Sequence, residues 1–96
     1  MELTDIRGRI DEVDDQMVKL FCERMRLVAL VSKAKWRQGL PLSDNVREQE
    51  ISERAARRAG REFAPYIRLF FYAIFAISKD YQIQRAATER WPGSNS

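Results

Sequence analysis

Residues 3–36 read LTDIRGRIDEVDDQMVKLFCERMRLVALVSKAKW, and their periodicity decides the fold. Apolar side chains fall at Leu3, Ile6, Ile10, Val13, Met17 and Leu20, then at Leu27 and Val31. Steps alternating between three and four are the heptad seam of a helix packed along its length. One seam position, between Leu20 and Leu27, holds Arg24. A guanidinium buried there without a partner loses much of its solvation, so an anionic group is expected to meet it. No Pro interrupts the stretch, and Gly8 weakens it by about 1 kcal/mol relative to Ala.

At about 1.5 Å per residue this helix runs roughly 50 Å. A compact domain of about 100 residues has a radius of gyration near ~13 Å, so the rest of the chain cannot cover such a rod within one globule. A second copy is expected to share the seam.

The 96 residues make a single domain, 1–96, with a core over about 3–90 and a loose tail at 91–96. Hydrophobic residues at 45% and charged residues at 32% describe a soluble, helix-rich chain rather than a disordered one. A net charge of +3 suits small anions and is weak grounds for nucleic acid. No apolar run approaches the ~20 residues of a membrane span, and no signal peptide precedes the amphipathic helix. The single Cys22 excludes an intrachain disulfide and fits a reducing, cytoplasmic setting. With no His and one Cys, the usual zinc sites and His-based triads are excluded, and no metal is expected.

The first helix is expected to end near Arg37 or Gln38, where Gly39 and Pro41 supply the stop. Ser43, Asp44 and Asn45 then offer N-caps, with Glu48 spaced to complete a capping box on Asn45. A short second helix runs to about Ala59 and stops at Gly60. Its Arg54, Arg57, Arg58 and Arg61 read as a solvated stripe facing Glu50 and Glu53. A long third helix opens around Pro65, with Ala64 a poor N-cap. It carries Ile67, Phe70, Phe71, Ile74, Phe75 and Ile77, then turns polar on one face through Ser78, Tyr81 and Gln82. Those polar groups need partners, as Arg24 does. Trp91-Pro92-Gly93 is expected to end it. The fold class is therefore all-α, with a long first, short second and long third helix in an intertwined homodimer.

Arg24 and Lys35 lie eleven residues apart, about 20° from the same face and ~16 Å along the axis, so both long side chains can converge on one small anion. Arg7 sits ~25 Å from Arg24 and about 100° round the helix. It cannot reach that ligand from the same straight helix, but in an antiparallel pair of first helices the partner's Arg7 arrives there. Two equivalent sites per dimer follow, each lined by both chains. At the start of the second helix, Arg47 is spaced to hold one of Asp44 and Glu48 while the other faces a ligand hydroxyl. A cap and an ordinary ion pair explain Asp44 and Arg47 equally well. Ser78 and Gln82, one turn apart, likewise suit a satisfied polar pocket.

The pattern Leu3-x-x-Ile6-Arg7-x-x-Ile10-Asp11-x-x-Asp14, then Glu23-Arg24-Met25, Lys33-Ala34-Lys35, Asp44-x-x-Arg47-Glu48 and Ser78-x-x-x-Gln82 resembles the all-helical chorismate mutases. The resemblance spans Leu3 to about Arg85 and departs only at Gly8 and Ala64. It implies a Claisen rearrangement of chorismate, a small dianion, to prephenate in aromatic amino-acid biosynthesis. That reaction is unimolecular and needs no nucleophile, metal or cofactor. The enzyme holds the compact conformer and favours the charge that develops as the C–O bond breaks. By that resemblance Arg24 and the second chain's Arg7 bind the carboxylates, and Lys35 and Gln82 donate to the ether oxygen. Glu48 and the Asp44 region recognise the ring hydroxyl, Arg47 orients these acids, and Ser78 supports a carboxylate.

Other readings use the same scaffold. A 4-amino-4-deoxychorismate mutase of an antibiotic pathway differs only in an amine that Asp44 and Glu48 serve equally. Isochorismate-pyruvate lyases usually lack the Asp-x-x-Arg-Glu arrangement kept here. A non-catalytic dimeric regulatory module would not need the site residues, although an activating shikimate-pathway enzyme remains compatible as a partner. A nucleic-acid binder would interleave aromatics with its arginines, which this chain does not.

Overall fold

The computed structural model describes residues 1–89. Three helices and no strand occur among them: α1 over Leu3–Arg37, α2 over Asn45–Ala59 and α3 over Ala64–Thr88. The expected end of α3 at Trp91-Pro92-Gly93 and the tail at 91–96 lie outside the described residues.

Each boundary has a local cause. At the end of α1, Gly39 adopts φ +70° and its N–H bonds the carbonyl of Trp36, while the Leu40 N–H closes on Lys35 at 2.8 Å. Only a residue without Cβ takes that left-handed turn without strain. Helix α2 starts one residue earlier than the Asn45 capping box requires. Asp44 is the N-cap, its Oδ1 accepting from the Arg47 N–H at 3.0 Å, and Asn45 is already helical. A carboxylate there satisfies the unpaired amides and meets the positive end of the helix dipole, a contribution of about 1 kcal/mol. Gly60, at φ +85°, stops α2 as expected. Phe63, rather than Ala64, occupies the N-cap position of α3; it supplies no side-chain cap, and Pro65 sits in the first turn.

Helix α3 is the middle of the fold. Both α1 and α2 pack on it, and they do not pack on each other. Along α1, Met17, Leu20 and Phe21 share a cavity with Phe70, Phe71 and Ile74, while Arg24 and Met25 reach Ser78. Both elements therefore advance together, and α1 runs parallel to α3. Along α2 the order reverses. Glu53 bonds Arg68, and Asn45 and Gln49 lie beside Tyr72 and Phe75, so α2 is antiparallel to α3. The Arg68 hydrogen bonds and charge hold the Glu53 carboxyl below the usual carboxylate range. This pairing is complete above the ordinary glutamate range and is lost as pH falls through the lowered value.

One expectation changes here. Glu53 turns to Arg68 on α3 and Glu50 pairs with Arg47 at 3.5 Å, so neither forms an ion pair with Arg54, Arg57, Arg58 or Arg61 among the described residues. The α1 seam is not buried by this chain. Leu3 is 59% exposed, Val13 54%, Leu20 61% and Leu27 56%. Helix α3 covers a different stripe of α1, around Met25, Val28 and the wholly buried Ser32. The buried apolar core is small, formed by Ala56, Ile74 and Ala86. The shape is a rod of 56 × 27 × 18 Å with a radius of gyration of 16.8 Å, well above the ~13 Å of a compact chain this long.

Candidate active site

The second half of α1, the first turns of α2 and the polar half of α3 enclose a cavity of about 110 Å³. Arg24 and Lys35 enter it from α1, Asp44, Arg47 and Glu48 from the start of α2, and Ser78 and Gln82 from α3. Those are the residues picked out by spacing, with one exception. Arg7 is exposed on the projecting half of α1 and does not line this cavity. Within a single chain the geometry agrees with its calculated distance from Arg24 along a straight helix.

Arg24 is the most constrained group. Its Nη1 donates to Ser78 Oγ at 3.2 Å, and its Cζ lies 6.0 Å from the ring centroids of both Phe71 and Phe75. The ring faces attract the cation, but no carboxylate pairs with it among the described residues. Burial, and then the positive charge of Arg47, hold its pKa below the usual arginine value. Arginine stays protonated at physiological pH regardless. Its causes, burial and a neighbouring like charge, are ones that a bound anion would relieve.

The hydroxyl of Ser78 is buried and doubly engaged, accepting from Arg24 and approaching Met25 Sδ at 3.8 Å. It holds one end of the guanidinium of Arg24, a residue that lines the cavity. Lys35 Nζ donates to the Leu42 carbonyl at 3.2 Å, which ties the loop after α1 back onto the helix. An ammonium has three donors, so this bond leaves capacity for a ligand. Arg47 departs from its expected role: its side chain pairs with Glu50 and not with Asp44 or Glu48. Asp44 is engaged as the helix cap, while Glu48 is half-buried on the cavity wall.

Lys79 also lines the cavity, and the spacing argument missed it. The signal was present, since Lys79 follows Ser78 and lies three residues before Gln82 on the same polar face. Apolar walls come from Val28, Ile51 and Phe75. The chemistry available is therefore anion binding, hydrogen-bond donation and one or two carboxylates for a hydroxyl or amine. Among the described residues, no group of three or more His, Cys, Asp or Glu side chains is placed to hold a metal ion. None of the described helices is long and apolar enough to cross a membrane.

Comparison with known proteins bears on the same residues. A T-protein of Haemophilus influenzae is 40% identical over 62 residues, covering 65% of this chain and 16% of the relative. The chorismate mutase of Methanocaldococcus jannaschii is 40% identical over 53 residues, covering 55% of this chain and 54% of the relative. A bifunctional chorismate mutase/prephenate dehydratase of Aquifex aeolicus is 34% identical over 56 residues, covering 58% of this chain and 16% of the relative. The similarity thus spans about half or less of each relative's own length. No solved structure matches the chain significantly. Residues 6–83 match the family described as chorismate mutase type II, which takes in α2 entirely, most of α1 and α3, and every candidate site residue: the chain belongs to that family.

Proposed function

We propose that this chain is a chorismate mutase, an isomerase that converts chorismate to prephenate without a cofactor. The observation that carries the reading is the Arg24 cavity. A half-buried guanidinium, with no carboxylate partner among the described residues, shares it with Arg47, Lys35 and Lys79, with Gln82 alongside. Such a cavity suits a dianion far better than a neutral ligand.

In the proposed mechanism Arg24 binds one carboxylate, with Ser78 holding the guanidinium in place. Lys35 and Gln82 donate to the ether oxygen as it gains negative charge, so they stabilise the transition state more than the substrate. Glu48 accepts from the ring hydroxyl, supported by the Asp44 region. Arg47 contributes positive potential at the rim, in place of the bridging role expected for it. The cavity holds chorismate in its compact conformer, so the entropic cost of ordering it is met on binding.

The site is completed by a second copy. Support comes from the open seam of α1, with Leu3, Val13, Leu20 and Leu27 all more than half exposed, and from the position of Arg7. Antiparallel pairing of two α1 helices covers those seams and delivers the second copy's Arg7 to the other carboxylate. The single domain then functions as half of an intertwined homodimer.

Purified protein is expected to deplete chorismate absorbance, with the 4-amino analogue run in parallel. No change with chorismate but turnover of the analogue would move the reading to the amino substrate, and no change with either would reject it. Shared sites have their own test. Arg7→Ala and Lys35→Ala chains are each expected to be inactive. A heterodimer of the two carries one site with neither lesion, so mixing should restore part of the activity. Verified heterodimers without activity would refute the shared site.

A further inference from the structure

Helix α2 leaves a basic surface uncovered next to the active site. Arg54 and Arg58 are exposed, and no carboxylate meets either among the described residues. The nearby acids are engaged elsewhere, Glu50 by Arg47 and Glu53 by Arg68. The two arginines flank a cavity of about 220 Å³ floored by Ile51, Ala55 and Phe71. The first half of α1 has the opposite character. It carries Asp5, Asp11, Glu12, Asp14 and Asp15, with Glu2 at the N-cap, against Arg7, Arg9 and Lys19, all exposed, and Asp11 and Asp14 form no ion pair among the described residues.

We propose that Arg54 and Arg58 form a docking surface for a second copy of this chain, which meets them with Asp11 and Asp14 of its own α1. The inference rests on the shared-site dimer proposed above and adds what aligns its two chains.

The direction of the helices supports it. Helix α1 runs parallel to α3 and α2 runs antiparallel to it, so α2 is antiparallel to α1. A second α1 laid antiparallel to the first therefore runs in the same direction as α2. Ile51 lines both the active cavity and the cavity beside Arg54 and Arg58, and so marks the level at which the incoming Arg7 enters. From Ile51, Arg54 and Arg58 lie ~4.5 and ~10.5 Å further along α2, and from Arg7, Asp11 and Asp14 lie ~6 and ~10.5 Å further along α1. Asp11 and Asp14 depart by only about 40° and 20° from the Arg7 face, so the turn that aims Arg7 into the active cavity also turns both carboxylates toward α2. The adjacent seam residues Ile10 and Val13 then meet Phe71 and the apolar cavity formed by Leu20, Phe70 and Ile74. Twofold symmetry gives the dimer two such contacts. A phosphate polymer would also be attracted to an arginine stripe, but nothing about it would explain an acidic helix of matching spacing on the same chain.

Sedimentation equilibrium on the full chain tests this with two charge-reversed variants, R54E/R58E and D11R/D14R. The parent is expected to be a dimer that weakens as salt is raised. Each variant alone is expected to dimerise at least about tenfold more weakly, because each contact now opposes like charges. Mixed in equal amounts, the variants form a heterodimer in which both contacts are matched again, and parent-like affinity and chorismate turnover should return. Should either variant fail to fold alone, co-refolding the two applies the same criterion, with helical circular dichroism as readout. A parent dimer indifferent to salt and to both reversals overturns the proposal while leaving the shared-site dimer standing. So does a mixture that recovers nothing, or a DNA duplex bound by the parent and lost in R54E/R58E with dimerisation unchanged. A monomeric parent overturns the shared-site reading itself.

Discussion

Arg24→Leu is expected to lower chorismate turnover by roughly a thousandfold while leaving the helical fold intact. The loss follows from position. Arg24 is the α1 cation of the cavity whose guanidinium is held by Ser78 and framed by Phe71 and Phe75. Neither Arg47 nor Lys79 can replace it, because Arg47 is drawn to Glu50 at the rim and Lys79 projects from a different helix. The fold survives for two reasons. Leucine matches the apolar seam formed by Leu20 and Leu27, and its arrival removes both the desolvation of a charge and the repulsion from Arg47. Ser78 loses a donor but keeps its contact with Met25 Sδ, so the cost there is on the order of 1 kcal/mol. The measurements are turnover and thermal melting of parent and variant. A variant already unfolded at room temperature would show that Arg24 is structural, and its proposed ligand role would fall.

Gln82→Glu is expected to be about a hundredfold slower than the parent at neutral pH and to recover toward acid. The amide of Gln82 donates a hydrogen bond at any ordinary pH, whereas an ionised carboxylate can only accept. Facing an ether oxygen that gains negative charge, an ionised Glu would repel the transition state instead of stabilising it. Protonation restores a donor, so turnover should rise as pH falls. Lys35, Lys79 and Arg24 around the same cavity would hold the new carboxyl down, while partial burial and the acids Glu48 and Asp44 would push it up. The direction of the profile is the prediction. A variant whose pH profile runs parallel to the parent's would show that Gln82 does not touch the breaking bond.

The candidate site was legible because it is written in helical spacing. Arg24 with Lys35, and Ser78 with Gln82, each lie on one helical face, and Asp44 caps the helix that carries Glu48, so sequence separation alone converts to distance and angle. What spacing could not supply was the competition among neighbours. Arg47 stands between two acids in sequence, yet its guanidinium turns to Glu50 three residues on, because Glu48, one residue away, lies on another face and Asp44 is the non-helical cap whose Oδ1 accepts from the Arg47 N–H. Asp44 rather than Asn45 is the cap; the two residue types cap about equally well, so spacing alone did not choose between them. Lys79 went unnoticed because it stood next to a residue already chosen.

The sequence by itself determined three helices, their ends at Gly39 and Gly60, and a seam too long for one chain to bury. These are local and periodic properties, and residues near one another in the chain decide them. Only the tertiary structure decided that α3 is the central helix, parallel to α1 and antiparallel to α2, and that Glu53 reaches Arg68 while Arg54 and Arg58 form no ion pair among the described residues. The physical reason is that amphipathic patterning says which face of a helix seeks cover but not which helix supplies it. Helix α3 buries the Val28–Ser32 stripe of α1 and leaves the Leu20–Leu27 seam open. That choice depends on how side chains from distant segments fit together, and no periodicity within a single helix encodes it.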